Sequence, residues 1–274
     1  MQDTHSNTYL FVGGGNMASA LIGGLVRQGH PVGRITVVDP HPPARDALQA
    51  QWPGLVALPE LGDTLSPDVT VWAVKPQQFA SAATMAARLG GTLHISVAAG
   101  ITFAAMSQWF QSQRIVRAMP NTPALVGQGM TGLFAPSHLG NADRQAAQVL
   151  LANTGSTLWV DDEAQIDVVT AVSGSGPAYV FYFMEALITA GTEMGLTREQ
   201  STQLTLETFH GASELARQST ESPRELRLRV TSKGGTTHAA ISSLEADDSR
   251  AIFINAVLAA RERAQQMAAE FGHF

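Results

Sequence analysis

The stretch YLFVGGGNMA, residues 9–18, decides the fold. Four apolar residues that favour a β-strand precede three glycines, and an apolar stretch of helical character then continues to about Gly29. The run fits the pattern G-x-G-x-x-A, in which Gly13 permits a tight turn, Gly15 lets the backbone approach a diphosphate, and Ala18 lets the helix pack closely on the sheet. The stretch therefore predicts a strand, turn and helix with a phosphate site at the helix N-terminus.

An acid follows the second predicted strand at the distance expected for a dinucleotide site. Asp39 lies 21 residues after Ala18, where a carboxylate binds the hydroxyls of the adenosine ribose. A solvated turn acid before Pro40 is the alternative interpretation. Asp39 by itself favours NAD(H), because a carboxylate repels a 2′-phosphate, and Arg45 is the nearest candidate partner for such a phosphate.

Residues 1–160 alternate short β-rich runs with helix-compatible stretches, which is typical of βαβ units and a largely parallel sheet. The predicted strands are Tyr9–Val12, Ile35–Val38, Val69–Val74, Leu93–Val97, Ile115–Ala118 and Thr157–Val160. We therefore predict an α/β fold, in which a Rossmann-like, doubly wound parallel sheet occupies residues 1–160 and binds the dinucleotide.

The pattern changes near Val160–Glu163, where the two predicted domains meet. From Asp162 onward apolar residues recur at helical spacing, and the predicted breaks are Pro177, Gly195–Thr197, Ser222–Pro223 and Gly234–Gly235. Residues 161–274 therefore form an all-α C-terminal domain. Two stretches, Ala178–Met194 and Ile252–Met267, offer more apolar positions than one subunit can cover, so we expect this domain to dimerise.

Composition and charge exclude several classes of protein. The chain has 274 residues, of which 45% are hydrophobic and 15% charged, and a net charge of −6. Residues 1–160 hold 8 basic and 7 acidic residues and residues 161–274 hold 9 and 16, so neither nucleic acid nor an anionic membrane is expected as a partner. Without cysteine there are no disulfides, thiolate nucleophiles or cysteine-bound metals, and redox chemistry needs a cofactor.

Targeting and metal signals are also missing from the sequence. The N-terminus has no basic and apolar signal pattern, and the long uncharged stretches Leu89–Gln113 and Ala118–Ala142 are broken by polar residues, glycine and proline. The eight histidines show no metal-ligand spacing. We therefore expect a cytoplasmic protein without a metal site.

Five stretches together resemble the pyrroline-5-carboxylate reductases. They are GGGNMA at 13–18, AVKP at 73–76, MPNTP at 119–123, SGSGPAY at 173–179 and TSKGGTT at 231–237. The resemblance implies reduction of 1-pyrroline-5-carboxylate to L-proline, with hydride from NADPH or NADH, by a homodimer or a larger oligomer of dimers. A related imine reductase, a hydroxy-acid dehydrogenase and a non-catalytic nucleotide sensor are the alternatives.

The resemblance also implies which residues form the site. Those at the cofactor are Gly13, Gly15, Asn16, Met17, Asp39, Ala73, Val74, Lys75, Pro76, Ala99 and Asn121. Those at the substrate are Glu163, Ser175, Gly234, Gly235, Thr236 and Thr237, with the Thr237 hydroxyl contacting the substrate nitrogen as the catalytic group. Two positions depart from the family pattern: Lys233 replaces a common proline, and Glu60 replaces a common asparagine near the adenosine.

The residues themselves suggest how two loops would bind an imino acid. Ser173–Gly176 followed by Pro177 is typical of a helix start with uncovered N–H groups, although tight helix packing would also require small residues. Gly234–Thr237 is a second loop rich in N–H groups, with two hydroxyls added. Such N–H groups hold a carboxylate while a hydroxyl bonds the ring nitrogen, unless the threonines are only helix caps.

Overall fold

The computed structural model describes residues 7–62 and 65–272 and contains a single large sheet. The strands are β1 Tyr9–Val12, β2 Ile35–Val38, β3 Val56–Leu58, β4 Val69–Trp72, β5 Leu93–Ser96, β6 Ile115–Met119, β7 Gly129–Phe134 and β8 Gly155–Trp159. Their order across the sheet is β3-β2-β1-β4-β5-β6-β7-β8. Every neighbouring pair is parallel except β6 and β7, which confirms the predicted, largely parallel sheet.

All six predicted strands are present, with small differences at their ends, but two strands were not predicted. The strand β3 has only three residues. The strand β7, GMTGLF, contains two glycines, which usually indicate a turn. A Cβ on Gly132 would lie 2.6 Å from a methyl group of Val169, so close packing requires glycine at this position. The same glycine weakens the strand pattern in the sequence, and the strand was therefore not predicted.

Helices cover both faces of the sheet. The helices of the chain are α1 Asn16–Arg27, α2 Pro42–Gln51, α3 Pro76–Ala83, α4 Phe103–Phe110, α5 Asn141–Ala152, α6 Gln165–Val169, α7 Gly176–Glu193, α8 Arg198–Gln218, α9 Pro223–Arg229, α10 Thr236–Ala246 and α11 Ser249–Phe271. Alternate residues of β1 face opposite clusters: Phe11 packs with Leu21 of α1, and Leu10 packs with Phe79 of α3. Two cores on one sheet confirm the doubly wound architecture.

The chain divides into two compact units. The first extends to Ser175 and resumes at Ala260, and the second comprises Gly176–Ala259. This division differs from the boundary predicted at residue 160. The reason is that α6 and the π-helical turn Thr170–Gly174 belong to the first unit. The end of α11 belongs there too, since Phe271 packs against the core cluster that contains Phe79.

The second unit is entirely helical, as predicted, and buries little of its own surface. Helices α7 and α8 approach closely where Gly191 meets Ser201. Pro177 lies in the first turn of α7, just after the break at Ser175, as predicted, whereas the break at Asp248, where φ is +50°, was not predicted. Within the part of the chain that the structure describes, no helix combines the length and apolar character needed to cross a membrane.

A histidine lies at the centre of the sheet. His94 on β5 is 1% exposed, and its Nδ1 accepts a hydrogen bond of 3.1 Å from the Trp72 indole N–H. Its ring stacks on Phe110 with centroids 4.5 Å apart. Burial, with a smaller contribution from the charge of Arg114, lowers the pKa of His94 to about 4. His94 is therefore a neutral core residue at physiological pH.

Candidate active site

The glycine turn after β1 has the geometry that a diphosphate requires. Gly13 has φ of +97°, and a Cβ there would lie 2.5 Å from the carbonyl oxygen of Ala73, so only glycine fits. Gly15 is exposed, has open space where a Cβ would be, and is the N-cap residue of α1, with no side chain capping that helix. The first N–H groups of α1 therefore face open space, and the turn fits an anionic ligand.

The next residues along the turn have separate surroundings. Asn16 is exposed at the start of α1, whereas Met17 is half-buried and packs against the core cluster around Phe11. Asn16 therefore faces solvent beside the turn, and Met17 anchors the turn to the core.

A cleft of about 400 Å³ opens beside this turn, at the carboxyl edge of the sheet. Its walls come from the ends of β1, β2 and β3, the loop after β4, and α3. Gly13, Asp39, Glu60, Val74 and Gln77 all line it. The cleft lies next to β1 and β4, where the strand order reverses, which is the usual ligand position in a doubly wound sheet. Its position therefore fits the adenosine half of a dinucleotide.

The carboxylate of Asp39 is bound within the protein. Its Oδ2 accepts the Gly14 N–H at 2.7 Å, its Oδ1 accepts the His41 N–H at 2.8 Å, and the residue is 8% exposed. Arg45 donates to the Asp39 carbonyl oxygen at 2.7 Å. These are the contacts of a turn acid that holds the glycine turn in place. Binding of the ribose by Asp39 stays a prediction.

The AVKP stretch forms the exit from β4. The Ala73 N–H donates to the Val12 carbonyl oxygen at 2.8 Å, which ties this loop to β1. Val74 lines the cleft, Lys75 is exposed at the N-cap position of α3, and Pro76 begins that helix. All four residues therefore lie at the same sheet edge as the glycine turn.

Two other predicted cofactor residues lie farther along this edge. Ala99 is half-buried in the loop between β5 and α4. Asn121 follows β6, and its side-chain amide donates to the Ser173 carbonyl oxygen at 3.2 Å and to the Ser173 hydroxyl at 3.3 Å. Its Oδ1 accepts the Met130 N–H at 2.9 Å. Asn121 therefore joins the MPNTP and SGSGPAY stretches.

Glu163 forms an ion pair that sequence reasoning missed. Its Oε1 accepts from the Arg117 guanidinium and, at 2.6 Å, from the Phe103 N–H at the start of α4. Arg117 lies on β6 and is 4% exposed, so its charge needs this partner. Burial raises the pKa of the nearby Asp167, and the Arg117 charge opposes that rise. An arginine within the apolar run IVRAM was the available signal.

Ser175 does not have the uncovered N–H that the sequence predicts for it. Thr170–Gly174 form a π-helical turn that continues from α6, and the Ser175 N–H donates to the Thr170 carbonyl oxygen at 2.8 Å. Helix α7 then begins at Gly176, with Pro177 in its first turn, as predicted. The π-helical turn accounts for the difference, because it satisfies a donor that an isolated helix start would leave free.

The GGTT loop opens α10 in the second unit. Gly234 is exposed, and Gly235 is the N-cap residue of α10. No side chain caps this helix, so the threonines do not act as N-caps. Thr236 is exposed and Thr237 half-buried, in the first turn. The first N–H groups of α10 and the two hydroxyls are thus presented together, as a carboxylate with an adjacent ring nitrogen would require.

A metal site requires several ligand side chains close together in space. Within residues 7–62 and 65–272, no three His, Asp or Glu side chains come together as metal ligands.

Comparisons with known proteins cover nearly the whole chain. Residues 163–267 match the family described as "Pyrroline-5-carboxylate reductase dimerisation", and residues 8–100 match "NADP oxidoreductase coenzyme F420-dependent". A pyrroline-5-carboxylate reductase of Pseudomonas aeruginosa is 44% identical over 265 residues, which are 96% of this chain and 97% of that protein.

Two solved structures share the fold over the same extent. A pyrroline-5-carboxylate reductase from Coxiella burnetii has a TM-score of 0.86 and 38% identity, over 96% of this chain and 99% of that one. A pyrroline carboxylate reductase from Plasmodium falciparum, solved with NADP bound, has a TM-score of 0.86 and 30% identity over 96% and 99% of the two chains.

Proposed function

The chain belongs to the pyrroline-5-carboxylate reductase family, and from that membership we propose which of its residues perform the reaction. The chain reduces 1-pyrroline-5-carboxylate to L-proline with NAD(P)H, a step of proline biosynthesis. The main observation that supports these roles is that no side chain caps the N-terminus of α1, which directly follows the glycine turn at Gly13. We assign dinucleotide binding to residues 1–160, and substrate binding and dimerisation to residues 161–274.

The cofactor site is built from the backbone of the first unit. Gly15 and the first N–H groups of α1 bind the diphosphate, Asp39 fixes the Gly14 N–H at the turn, and Val74 lines the cleft for the adenosine. When bound, NAD(P)H supplies the hydride that the C=N carbon accepts. Asn16, Met17, Ala73, Lys75, Pro76, Ala99 and Asn121 complete the proposed site along the same sheet edge.

The substrate is held by the loop that opens α10. The N–H groups of Gly234 and Thr236 bind the carboxylate, supported by the partial positive charge of the helix N-terminus. The Gly235 N–H donates instead to the Ser232 carbonyl oxygen at 3.0 Å, so Gly235 shapes the loop without binding the carboxylate through its N–H group. The Thr237 hydroxyl accepts a hydrogen bond from the protonated ring nitrogen and orients the C=N carbon. Because a protonated imine is neutralised when it gains a hydride, the chain needs no strong acid at this point.

Glu163 and Ser175 remain proposed substrate residues. The ion pair with Arg117 gives Glu163 a further role, since it fixes α6 to β6 and to the start of α4. The π-helical turn in front of Ser175 sets the position of its hydroxyl.

The reaction is tested by cofactor oxidation. Purified protein with 1-pyrroline-5-carboxylate is expected to consume NADH or NADPH, measured at 340 nm, and to form stoichiometric L-proline. The controls are a 2-hydroxy acid of similar size with NAD(P)+ and the corresponding 2-oxo acid with NAD(P)H, and neither pair is expected to change the absorbance at 340 nm. Folded protein that oxidises neither cofactor with 1-pyrroline-5-carboxylate would contradict the proposal.

The chain forms a homo-oligomer, and we propose that its basic unit is a dimer formed through the second unit. The support is a set of large apolar side chains that are exposed to solvent on α7 and α11. They include Phe181 (56% exposed), Tyr182 (69%) and Ile252 (64%). A second copy of the same helices would cover them. The cytoplasmic location stays a prediction.

Sedimentation tests this dimer. At micromolar concentration we expect a species of at least twice 29.0 kDa, and Tyr182→Glu should shift the distribution toward monomer, since it places a charge in an apolar interface. The exposed Glu207→Gln on α8 is the control. Sedimentation of the unaltered chain as a monomer would refute the dimer.

A further inference from the structure

Two acids line the cleft assigned to the adenosine, and they differ in what surrounds them. Asp39 is buried, and its two carboxylate oxygens accept from the N–H groups of Gly14 and His41. Glu60, just beyond the end of β3, is exposed and lines the same cleft. Among residues 7–62 and 65–272, no side chain or N–H group binds the Glu60 carboxylate. Glu60 is therefore the acid with both oxygens available to a ligand.

A phosphate on the ribose would find the hydroxyl residues Ser81 and Thr84 in the cleft lining but no side chain with a permanent positive charge among the described lining residues. Neither lysine nor arginine is among the described residues that line this cleft. Arg45, which is close in sequence, donates instead to the Asp39 carbonyl oxygen at 2.7 Å. A 2′-phosphate carries about −1.5 to −2 charges near pH 7. Among the described residues of the lining it would meet two carboxylates and neither lysine nor arginine.

We propose that Glu60 is the specificity-determining residue for the cofactor, and that it makes the chain prefer NADH over NADPH. The Glu60 carboxylate accepts hydrogen bonds from the ribose hydroxyls of NADH and repels the 2′-phosphate of NADPH. Asp39 contributes mainly by holding the glycine turn. This inference rests on the proposed cofactor site and adds to it the residue that selects between the two dinucleotides.

Binding of two adenosine fragments tests the inference without catalysis. Calorimetry would compare 5′-AMP with 2′,5′-ADP, which differ only in the 2′-phosphate, on the unaltered chain and on Glu60→Gln. We expect the unaltered chain to bind 5′-AMP at least about tenfold more tightly than 2′,5′-ADP, and Glu60→Gln to move the ratio of the two Kd values about tenfold toward 2′,5′-ADP. Because Glu60 is exposed, the variant should fold normally.

Two matched variants separate a local contact from a general charge effect. Glu60→Asp keeps the carboxylate and should retain most of the preference. Asp46→Asn removes one negative charge from the exposed face of α2, outside the cleft lining, and should change the ratio less than about twofold, because solvent screens such a charge. An equal shift in Asp46→Asn and Glu60→Gln would overturn the role of Glu60.

Two other outcomes would contradict the role of Glu60. If both fragments bind and Glu60→Gln leaves their ratio unchanged, Glu60 does not select the cofactor, although the proposed site stands. If neither fragment binds the folded chain, the proposed cofactor site itself is wrong, and the role of Glu60 with it.

Discussion

Replacing Thr237 by alanine is expected to lower kcat/KM for 1-pyrroline-5-carboxylate about ten- to a hundredfold, because the ring nitrogen loses its hydrogen-bond partner. A neutral hydrogen bond corresponds to the lower figure and a charge-assisted one to the higher, from roughly 1.5–3 kcal/mol. The Kd of NADH should change little. Thermal stability should also hold, since the cap of α10 is Gly235 and no side chain caps this helix.

Serine at position 237 is the matched control, because it keeps the oxygen and removes only a methyl group. Thr237→Ser should retain most of kcat/KM, and the contrast between the two variants is the decisive measurement. Equal losses in both would show that packing of the methyl group matters. No loss in either would remove Thr237 from the reaction, and the partner of the nitrogen would then be sought at Thr236, Glu163 or water.

The second large effect concerns stability at acidic pH. His94 has a pKa of about 4 in the folded chain and about 6.5 when unfolded. Between these values the unfolded chain binds the extra proton, so the contribution of neutral His94 is complete above about pH 6.5 and is lost as the pH falls toward 4. The free energy of unfolding should therefore decrease by about 3 kcal/mol across this range on account of His94 alone.

Denaturant unfolding of His94→Gln measures this contribution. Glutamine can accept from the Trp72 indole N–H but does not titrate, so the variant should be less stable at pH 7 yet lose about 3 kcal/mol less than the unaltered chain between pH 6.5 and 4. His210→Gln, at an exposed position on α8, should follow the unaltered chain. Identical pH slopes for the unaltered chain and His94→Gln would contradict the burial argument.

Local patterns predicted the parts of the fold that depend on neighbouring residues. The strands Tyr9–Val12 and Ile35–Val38 have the predicted bounds because β-branched and aromatic residues fill them. The strand β7 escaped prediction because Gly132 is fixed by Val169, a residue distant in sequence. Propensity cannot show a requirement that arises only when α6 packs on the sheet.

In the candidate site too, features set by neighbouring residues were predictable, whereas contacts between residues distant in sequence were not. The turn at Gly13 was predictable, since its tight backbone depends on a short motif. The contact of Asp39 with the Gly14 N–H, 25 residues away, and the ion pair of Glu163 with Arg117, 46 residues away, were not. Spacing placed Asp39 at the correct sheet edge, but only the folded backbone shows that its oxygens are bound internally.

Helix α11 starts in one compact unit and ends in the other, and this has a consequence for the order in which the chain can fold during synthesis. The ribosome delivers the glycine turn before the second unit and Phe271 after it, although both belong to the first unit. The first unit therefore emerges with part of one core uncovered, and it cannot be completed until the helices of the second unit have been made. Biosynthesis thus makes completion of the first unit depend on prior synthesis of the second.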